Sequence, residues 1–264
     1  PETMSSMFSE AVWLEFTEIL VPVLAWAVVW ALAFAASLQG LTPASLSADD
    51  RSYWASCVVG SIHAAYTGYQ ALALLDLPFW PGVISIWDDF GARHIEWELV
   101  LLVSLGFFVF DFALTLCSPG MQGQKLVAVH HLLTLGIHSS IPRYGMFAAL
   151  SAMGYLAELS TPLVNGRWML SVTTGTGDAV YLANGIAMMV IFFFCRIVAG
   201  AFYLYEMFVL VPRHAPPLLS DMGIQGRVIP PLTLAFYALN IYWMYKIVKG
   251  ALKALGLTSS KKSD

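Results

Sequence analysis

Long apolar segments are the feature that most constrains the fold of this chain. Only 11% of its 264 residues are charged and 58% are hydrophobic, whereas soluble domains carry about 25% charged residues. A helix of about 20 apolar residues can cross the hydrocarbon core of a bilayer with every backbone polar group satisfied internally. The sequence therefore predicts an all-α integral membrane protein.

Seven such segments can be delimited, because Pro, Gly, Ser and Asp interrupt the apolar runs. The predicted spans are 16–38, 53–75, 99–116, 125–141, 144–163, 179–211 and 230–252. The longer polar stretches between them are predicted to be connecting loops, at 39–50, 76–96, 165–178 and 212–227. Tight turns are predicted at 118–120 and at 141–143. We therefore expect about seven transmembrane helices.

The distribution of Lys and Arg predicts the orientation, because the cytoplasmic ends of spans are enriched in these residues. One side of the predicted bundle carries four arginines: Arg93, Arg143, Arg213 and Arg227. The other side carries eight basic residues: Arg51, Lys125, Arg167, Lys246, Lys249, Lys253, Lys261 and Lys262. We therefore expect a cytoplasmic C-terminus and a lumenal N-terminus.

The last four residues have the form of a dilysine signal for retrieval to the endoplasmic reticulum. Lys261 and Lys262 precede the final two residues, and such an address is read only on a cytoplasmic tail. The alternative is a basic tail that lies beside anionic lipid headgroups. A multi-pass protein of the endoplasmic reticulum is the expectation.

Charged and histidine side chains inside the predicted spans are the candidate functional residues, because each charge costs about 2.5 to 3.5 kcal/mol at the bilayer centre. These residues are His63, Asp111, His130, His131, His138, Glu158, Arg196 and Glu206. Each of them needs a partner inside the bundle, and each of them is a candidate for a structural or a chemical role.

The pair His130-His131 is the sharpest of these signals. Adjacent helical residues point about 100° apart, so the two rings meet different neighbours. A neutral imidazole can act as a base or nucleophile, or it can hydrogen-bond to another helix. Asp111 could orient one of the rings or bond to a neighbouring helix. Glu158 could add a second carboxylate to the site or lie near the membrane surface.

Other polar residues suggest contacts between helices. Arg196 cannot lose its proton, so it needs a carboxylate, backbone carbonyls or a lipid headgroup beside it, and a structural ion pair with Glu158 or Glu206 is expected. His63 and Tyr66 lie on one face of the second span, as an inter-helix network or as a lining of the site. His138 shares a helix face with His131, because residues seven apart align.

Several function classes are excluded. The net charge of −4, without a basic stripe, argues against a nucleic-acid partner. The sequence lacks HxxHH boxes, a GxSxG elbow, an HExxH motif and a glycine-rich phosphate loop. A metal site built from the three histidines near residue 130 and a carboxylate is a weaker alternative. We predict neither a metal nor a bound cofactor.

Short motifs along the chain resemble the TLC (TRAM–LAG1–CLN8) domain family, and its TLC-domain-containing branch in particular. The motifs appear in the order Arg51 with Ser61-Ile62-His63-Ala64, Gly106 to Asp111, His130-His131, Glu158 to Trp168, Arg196, and Leu239 to Trp243. The resemblance covers residues 45 to 252. It implies an N-terminal segment with the first helix at 1–44, a TLC domain at 45–252 and a basic tail at 253–264.

The resemblance also implies a fold and a function. The second to seventh spans would form a six-helix barrel-like core around a cavity for a long acyl chain. Ceramide synthases of this family transfer an acyl group from acyl-CoA to a sphingoid amine. By that resemblance His130 would act as nucleophile or base, supported by His131, Asp111 and Glu158. The residues implied to bind lipid are His63, Tyr66, His138, Arg196 and Asn240.

Three functions follow as hypotheses. The first is a protein that binds acyl lipid and influences membrane lipid composition or metabolism, with membrane lipids and long acyl chains as its partners. The second is an acyltransferase of ceramide-synthase type, for which acyl-CoA would be the co-substrate. However, ceramide synthases carry a histidine–aspartate and a further aspartate after the pair, and residues 150–156 contain no His or acid. The third is a homo-oligomer or a structural subunit of a larger membrane complex.

Overall fold

The structure is a computed structural model that describes residues 16–75, 83–118, 124–138, 148–214 and 223–254. Helices joined by short turns make up these residues, and no β-strand occurs among them. The prediction of an all-α protein is therefore confirmed. The turn predicted at 141–143 and the dilysine tail at 261–262 lie outside the described residues.

The α-helices are named here in chain order. They are α1 (Val21–Gly40), α2 (Ala48–Leu75), α3 (Val83–Cys117), α4 (Gln124–His138), α5 (Ala148–Tyr155), α6 (Thr161–Thr173), α7 (Ala179–Phe192), α8 (Ala199–Tyr205), α9 (Val211–His214) and α10 (Ile224–Ala254). Wider π-helical turns occur at Phe16–Leu20, Phe193–Val198 and Glu206–Leu210, and a tighter 3-10 turn occurs at Leu156–Ser160.

Three helices of the described chain are long and apolar enough to cross a membrane. They are Thr17–Gly40, Trp97–Cys117 and Ala179–Arg213. Of the most apolar stretch of each, 61% is buried in Trp97–Cys117 but only 11% in Thr17–Gly40. The second half of α3 is therefore the centre of the bundle, and α1 lies at its edge. These helices support the assignment as a membrane protein.

Two helices extend beyond their predicted ends. The helix α3 begins at Val83 instead of residue 99, and α6 continues to Thr173 although residues 165–178 were predicted to be a loop. Both predictions were wrong because polar residues were taken as loop signals. After Pro81-Gly82 the segment contains no proline, and charged residues are good helix formers.

The last helix contains two prolines that the sequence analysis placed at its start. Pro230 and Pro231 lie inside Ile224–Ala254. Each proline lacks the N–H that would bond to the carbonyl four residues earlier. Such losses are tolerated in membrane helices where neighbouring groups satisfy the freed carbonyls.

The helix α1 packs closely against α3 because Gly106 has no side chain. A Cβ atom at Gly106 would lie 2.5 Å from the Cβ of Trp26 and 2.9 Å from the backbone N of Ala27. Four residues further along α1, the indole Nε1 of Trp30 donates a hydrogen bond of 3.0 Å to the carbonyl of Val103. This contact fixes the depth of α1 against the central helix.

Candidate functional site

A cavity of about 480 Å³ lies between the helices. Part of its wall is apolar, and this part includes Phe107, Phe108, Met188, Phe192 and Trp243. The polar part of the wall includes Asp111, His130, His131, Glu158 and Arg196. Its volume falls in the range of small-molecule sites, about 300–1,000 Å³, and its mixed lining is typical of them.

Helix geometry gives the depth of the cavity. Tyr53 and Gly60 both line it from α2, and seven residues of helix span about 10 Å. Lys246 also lines the cavity and is exposed, whereas Gly60 is buried. The cavity therefore opens beside Lys246 and has its floor near Gly60. Val164, a second exposed lining residue with 39% of its surface accessible, marks an apolar flank.

Asp111 and His131 form the first polar pair of the wall. The carboxylate Oδ2 of Asp111 lies 3.5 Å from Nε2 of His131, and its Oδ1 accepts a hydrogen bond of 3.1 Å from the hydroxyl of Ser56. Asp111 and His131 are 7% and 5% exposed. Of the two histidines, the structure places His131 beside the carboxylate, in the arrangement that orients an imidazole ring.

His130 projects into an aromatic corner of the same wall. Its ring lies 5.0 Å from the ring of Phe236 and 5.3 Å from that of Trp243, between centroids. The rings of His130 and His131 are 5.4 Å apart. The Nδ1 atom of His130 is buried and has no hydrogen-bond partner among the described residues. Because His130 lines the cavity, Nε2 is the nitrogen left to meet a ligand.

Arg196 is held by side chains from separate helical segments. Its Nε donates to Ser160 Oγ at 2.8 Å, its Nη2 to Thr161 Oγ1 at 2.9 Å and its Nη1 to Asn240 Oδ1 at 3.2 Å. The nearer carboxylate oxygen of Glu158 lies 4.0 Å from Nη2. A guanidinium has five N–H donors, so two hydrogens remain beyond these three bonds.

The local backbone explains how Glu158 and its neighbours reach Arg196. Pro162 cannot donate to the carbonyl of Glu158, four residues earlier, and the chain tightens into the 3-10 turn Leu156–Ser160, which ends two residues before the proline. The hydroxyl of Thr161 donates a hydrogen bond of 2.9 Å to Oε2 of Glu158. Of the two carboxylates suggested as partners of Arg196, the structure places Glu158, not Glu206, beside it.

Several cavity residues were missed by the sequence analysis. Asn165 lines the cavity, and its amide Nδ2 donates to the carbonyl of Cys57 at 3.0 Å and to Ser61 Oγ at 3.1 Å. Ser56, Thr161 and Lys246 also line it. Small polar residues are common in membrane helices as inter-helix contacts, so no pattern in the sequence distinguishes these.

Two predicted lipid-binding residues lie away from this cavity. His63 is fully buried and stacks on Phe107, with the ring centroids 3.9 Å apart. Its Nε2 lies 2.8 Å from Ser104 Oγ. Tyr66 packs at the edge of the hydrophobic core. Neither residue belongs to the lining of the cavity in the described chain.

The other three predicted lipid-binding residues line a second, smaller cavity, and only Arg196 among them also lines the first. His138 and Asn240 border a space of about 30 Å³ that shares Arg196 with the first cavity. Nδ1 of His138 lies 2.8 Å from Ser151 Oγ. A space of this size accommodates about one water molecule, so it is not a site for a lipid.

The chemistry of the first cavity is that of acids, bases and hydrogen bonds. In the described part of the chain, no three His, Cys, Asp or Glu side chains come close enough to hold a metal ion. The hydroxyls of Ser56 and Thr161 are already bonded to Asp111 and Glu158. The groups that can meet a ligand include the imidazole of His130, the remaining N–H hydrogens of Arg196, the ammonium of Lys246 and the hydroxyl of Tyr53.

Comparison with known proteins supports the resemblance drawn from the motifs. TLC domain-containing protein 4-B of Danio rerio is 28% identical over 214 residues, which are 80% of this chain and 78% of that protein. TLC domain-containing protein 4 of Homo sapiens is 26% identical over 221 residues, 83% of this chain and 81% of that protein. Human TLC domain-containing protein 2 is 29% identical over 130 residues, 49% and 47% of the two chains.

No solved structure gives a significant match. The sequence profile of the TLC domain (TRAM–LAG1–CLN8) matches residues 53–249, a stretch that contains every cavity-lining residue named above. Taken with the two relatives that match 80% and 83% of this chain, the profile match shows that the chain belongs to the TLC domain family.

Proposed function

We propose that the protein binds an acyl lipid in the 480 Å³ cavity and thereby influences membrane lipid composition. The observation that carries this proposal is the mixed wall, in which Phe107, Phe108 and Phe192 face the same space as Asp111 and Arg196. An amphiphilic ligand matches such a wall, because its chain contacts the rings and its polar group meets the charged residues.

Lipid that copurifies with the protein tests this proposal. A Cβ atom at position 60 would lie 3.5 Å from Nδ2 of Asn165 and 3.7 Å from the ring of Phe107. The rest of a leucine side chain at this position would therefore fill the cavity floor. We expect mass spectrometry to detect a defined lipid class with the wild-type protein and its loss in Gly60→Leu.

Gly250→Leu is the matched control, because a Cβ at Gly250 meets no atom within 4 Å. This variant should retain the copurified lipid. The proposal is wrong if wild-type protein carries only bulk lipid in the proportions of the host membrane, or if the two leucine variants retain the same lipid.

A second candidate function, acyl transfer from acyl-CoA, is favoured by the position of His130 beside the Asp111–His131 pair. In this reaction an imidazole removes the proton from an attacking amine, and the thiol of CoA leaves. Purified protein supplied with acyl-CoA and a long-chain amine should form an amide, and His130→Ala should abolish it. Amide formation at the wild-type rate in His130→Ala would exclude this function.

We also propose a seven-helix membrane topology with a cytoplasmic C-terminus in the endoplasmic reticulum. The 28 residues of α2 and the 31 residues of α10 exceed the length needed to span a bilayer, which supports crossings beyond the three most apolar helices. The six-helix barrel remains part of this proposal. Accessibility of tags at each terminus in permeabilised cells tests the orientation, and co-localisation with a resident marker of the endoplasmic reticulum tests the compartment.

A further inference from the structure

We infer that the cavity is a hydrolytic site for the acyl ester of a phosphate-bearing glycerolipid, with His130 as the general base and Lys246 as the phosphate contact. The juxtaposition that points to this activity is His130 and Arg196 beside the same indole ring. His130 lies 5.3 Å from the centroid of Trp243, and the Cζ of Arg196 lies 5.9 Å from it. The inference rests on the proposed lipid binding.

Water is the nucleophile that we assign to this cavity, whose wall also carries the side chains of Tyr53, Cys57 and Thr115. A cavity of about 480 Å³ with polar groups in its wall is roomy enough to hold water, and Asp111, Glu158 and Arg196 supply such groups. The hydroxyls of Ser56 and Thr161 are occupied as donors to carboxylates. His130 faces the same space with a nitrogen that no described side chain bonds, so it can accept a proton from a water molecule.

Arg196 is the group that can stabilise the negative charge on the reacting carbonyl oxygen. Three bonds, to Ser160, Thr161 and Asn240, hold its guanidinium in place. Two N–H hydrogens remain, and the residue is only 6% exposed. Donors that are fixed in advance at a site of developing charge are the main source of catalysis in acyl hydrolysis.

The reaction balances with water as the only co-reactant. The water oxygen attacks the ester carbonyl carbon while His130 takes its proton, and Arg196 donates to the carbonyl oxygen. The bond between the carbonyl carbon and the glycerol oxygen then breaks, and His130 returns the proton to that oxygen. The products are a fatty acid, which ionises, and a glycerophosphate-containing alcohol. Asp111 pairs with His131, whose ring lies 5.4 Å from that of His130, and takes no part in the proton transfer.

The position of Lys246 indicates where the phosphate of the substrate lies. Lys246 is exposed at the opening, and it follows Trp243 by three residues, about 5 Å along the helix. A glycerol unit spans a distance of this order between a phosphate and an ester carbonyl. The pantetheine arm of acyl-CoA is several times longer, so the spacing favours a glycerolipid over a CoA thioester.

The acyl chain needs a route out of the cavity. The depth of about 10 Å cannot hold a long chain in extended form below the ester. Val164 offers the route, because it lines the cavity and is also exposed on an apolar flank of the bundle. The head and the ester therefore occupy the cavity, and the chain extends past Val164 into the bilayer.

Release of fatty acid in ¹⁸O-labelled water tests the activity. Full-length protein in lipid nanodiscs is supplied with palmitoyl lysophosphatidylcholine, with palmitoyl-CoA or with monopalmitoylglycerol, and without an amine. We expect palmitate that carries one ¹⁸O atom from the lysophospholipid. Release from palmitoyl-CoA alone, or from none of the three, would overturn the inference, even if the protein copurifies with lipid and the proposed binding function stands.

Two variants of the base identify its role. His130→Gln and His130→Asn retain a neutral hydrogen-bonding side chain without its basicity, so the rate should fall by about 10²- to 10⁴-fold. The copurified lipid and the thermal unfolding midpoint of each variant show whether it is folded and loaded. Wild-type release by either folded variant would overturn the assignment of His130.

A lysine pair on α10 tests the phosphate contact. Lys246 and Lys249 are both exposed, and their Nζ atoms lie 5.7 Å and 5.9 Å from the ring centroids of Tyr242 and Tyr245. Only Lys246 lines the cavity. We expect Lys246→Gln to raise KM for the lysophospholipid about two- to fivefold with kcat unchanged, and not to affect monopalmitoylglycerol. Equal effects in Lys246→Gln and Lys249→Gln would contradict the phosphate site.

Discussion

His63 and His130 show how differently two histidines in apolar membrane helices can be used. His63 is fully buried, is stacked on Phe107 and lies against Ser104. His130 is 7% exposed, and its ring borders the main cavity. Burial alone does not separate them. The open space beside His130 makes it a candidate for chemistry, whereas the dense packing around His63 indicates a structural role.

The strongest test of the cavity wall is the loss of Arg196. Arg196→Met should destabilise the protein by about 3–5 kcal/mol, because it leaves the buried carboxylate of Glu158 without its cation. Glu158→Gln in the same chain should restore most of that stability. Equilibrium unfolding in mixed micelles measures both effects.

Arg167→Met is the control for this pair. Arg167 is half-buried and lies over the ring of Tyr181 at 4.3 Å, so its loss should cost less than about 1 kcal/mol. Equal losses of stability in Arg196→Met and Arg167→Met would contradict a stabilising interaction between Arg196 and Glu158.

Gly106 and Gly60 allow a comparison of the packing between α1 and α3 with the packing beside the cavity. Alanine gains up to about 1 kcal/mol of helix propensity over glycine at either position. Gly106→Ala places Cβ 2.5 Å from Trp26 and should cost about 1–3 kcal/mol. Gly60→Ala makes only contacts of 3.5 Å and 3.7 Å and should be neutral or stabilising. Equal unfolding midpoints for the two alanine variants would contradict this view of α1 packing.

The polar contact of His63 can be removed while its ring stacking is kept. His63→Phe retains an aromatic ring against Phe107 but leaves Ser104 without its partner, which should cost about 1–2 kcal/mol. Ser104→Ala in the same chain should recover this loss, since neither group is then left unsatisfied. Denaturant titration of the single and double variants measures these changes. A double variant no more stable than His63→Phe would contradict a stabilising hydrogen bond between His63 and Ser104.

The smallest expected effect concerns the hydroxyl behind Asp111. Ser56→Ala removes the hydrogen bond of 3.1 Å to the carboxylate and should cost about 1 kcal/mol. Ser171→Ala removes only a bond to the carbonyl of Trp168 in its own helix and should change stability by less than about 0.5 kcal/mol. Thermal unfolding of the two serine variants measures this difference. Equal unfolding midpoints would contradict a larger contribution of the Ser56–Asp111 hydrogen bond.

The fold could be predicted to a large extent because the membrane limits the choices. Apolar runs that must satisfy their own backbone can only be helices, and the predicted first span at 16–38 differs little from the observed Val21–Gly40. The errors at α3 and α6 arose where polar residues continue a helix. Charged side chains indicate contact with water or a partner but do not end a helix.

The site could be predicted only as a set of residue types. His130, His131, Asp111, Glu158 and Arg196 were singled out because buried charge is costly, and all five line one cavity. Their pairing depends on contacts between residues far apart in the chain, such as Ser56 with Asp111, and no local pattern encodes it. For the same reason the roles of His63 and Asn165 became visible only from their neighbours.

The contact of Trp30 with the central helix has a practical consequence for dissecting this protein. Trp30 lies outside the matched residues 53–249, yet its ring packs 5.5 Å from Phe107 and 5.8 Å from His63, between centroids. Phe107 also lines the cavity. Trimming the chain to residues 53–249 would therefore remove the indole that packs behind this wall residue, so a preparation meant to keep the cavity intact should include α1.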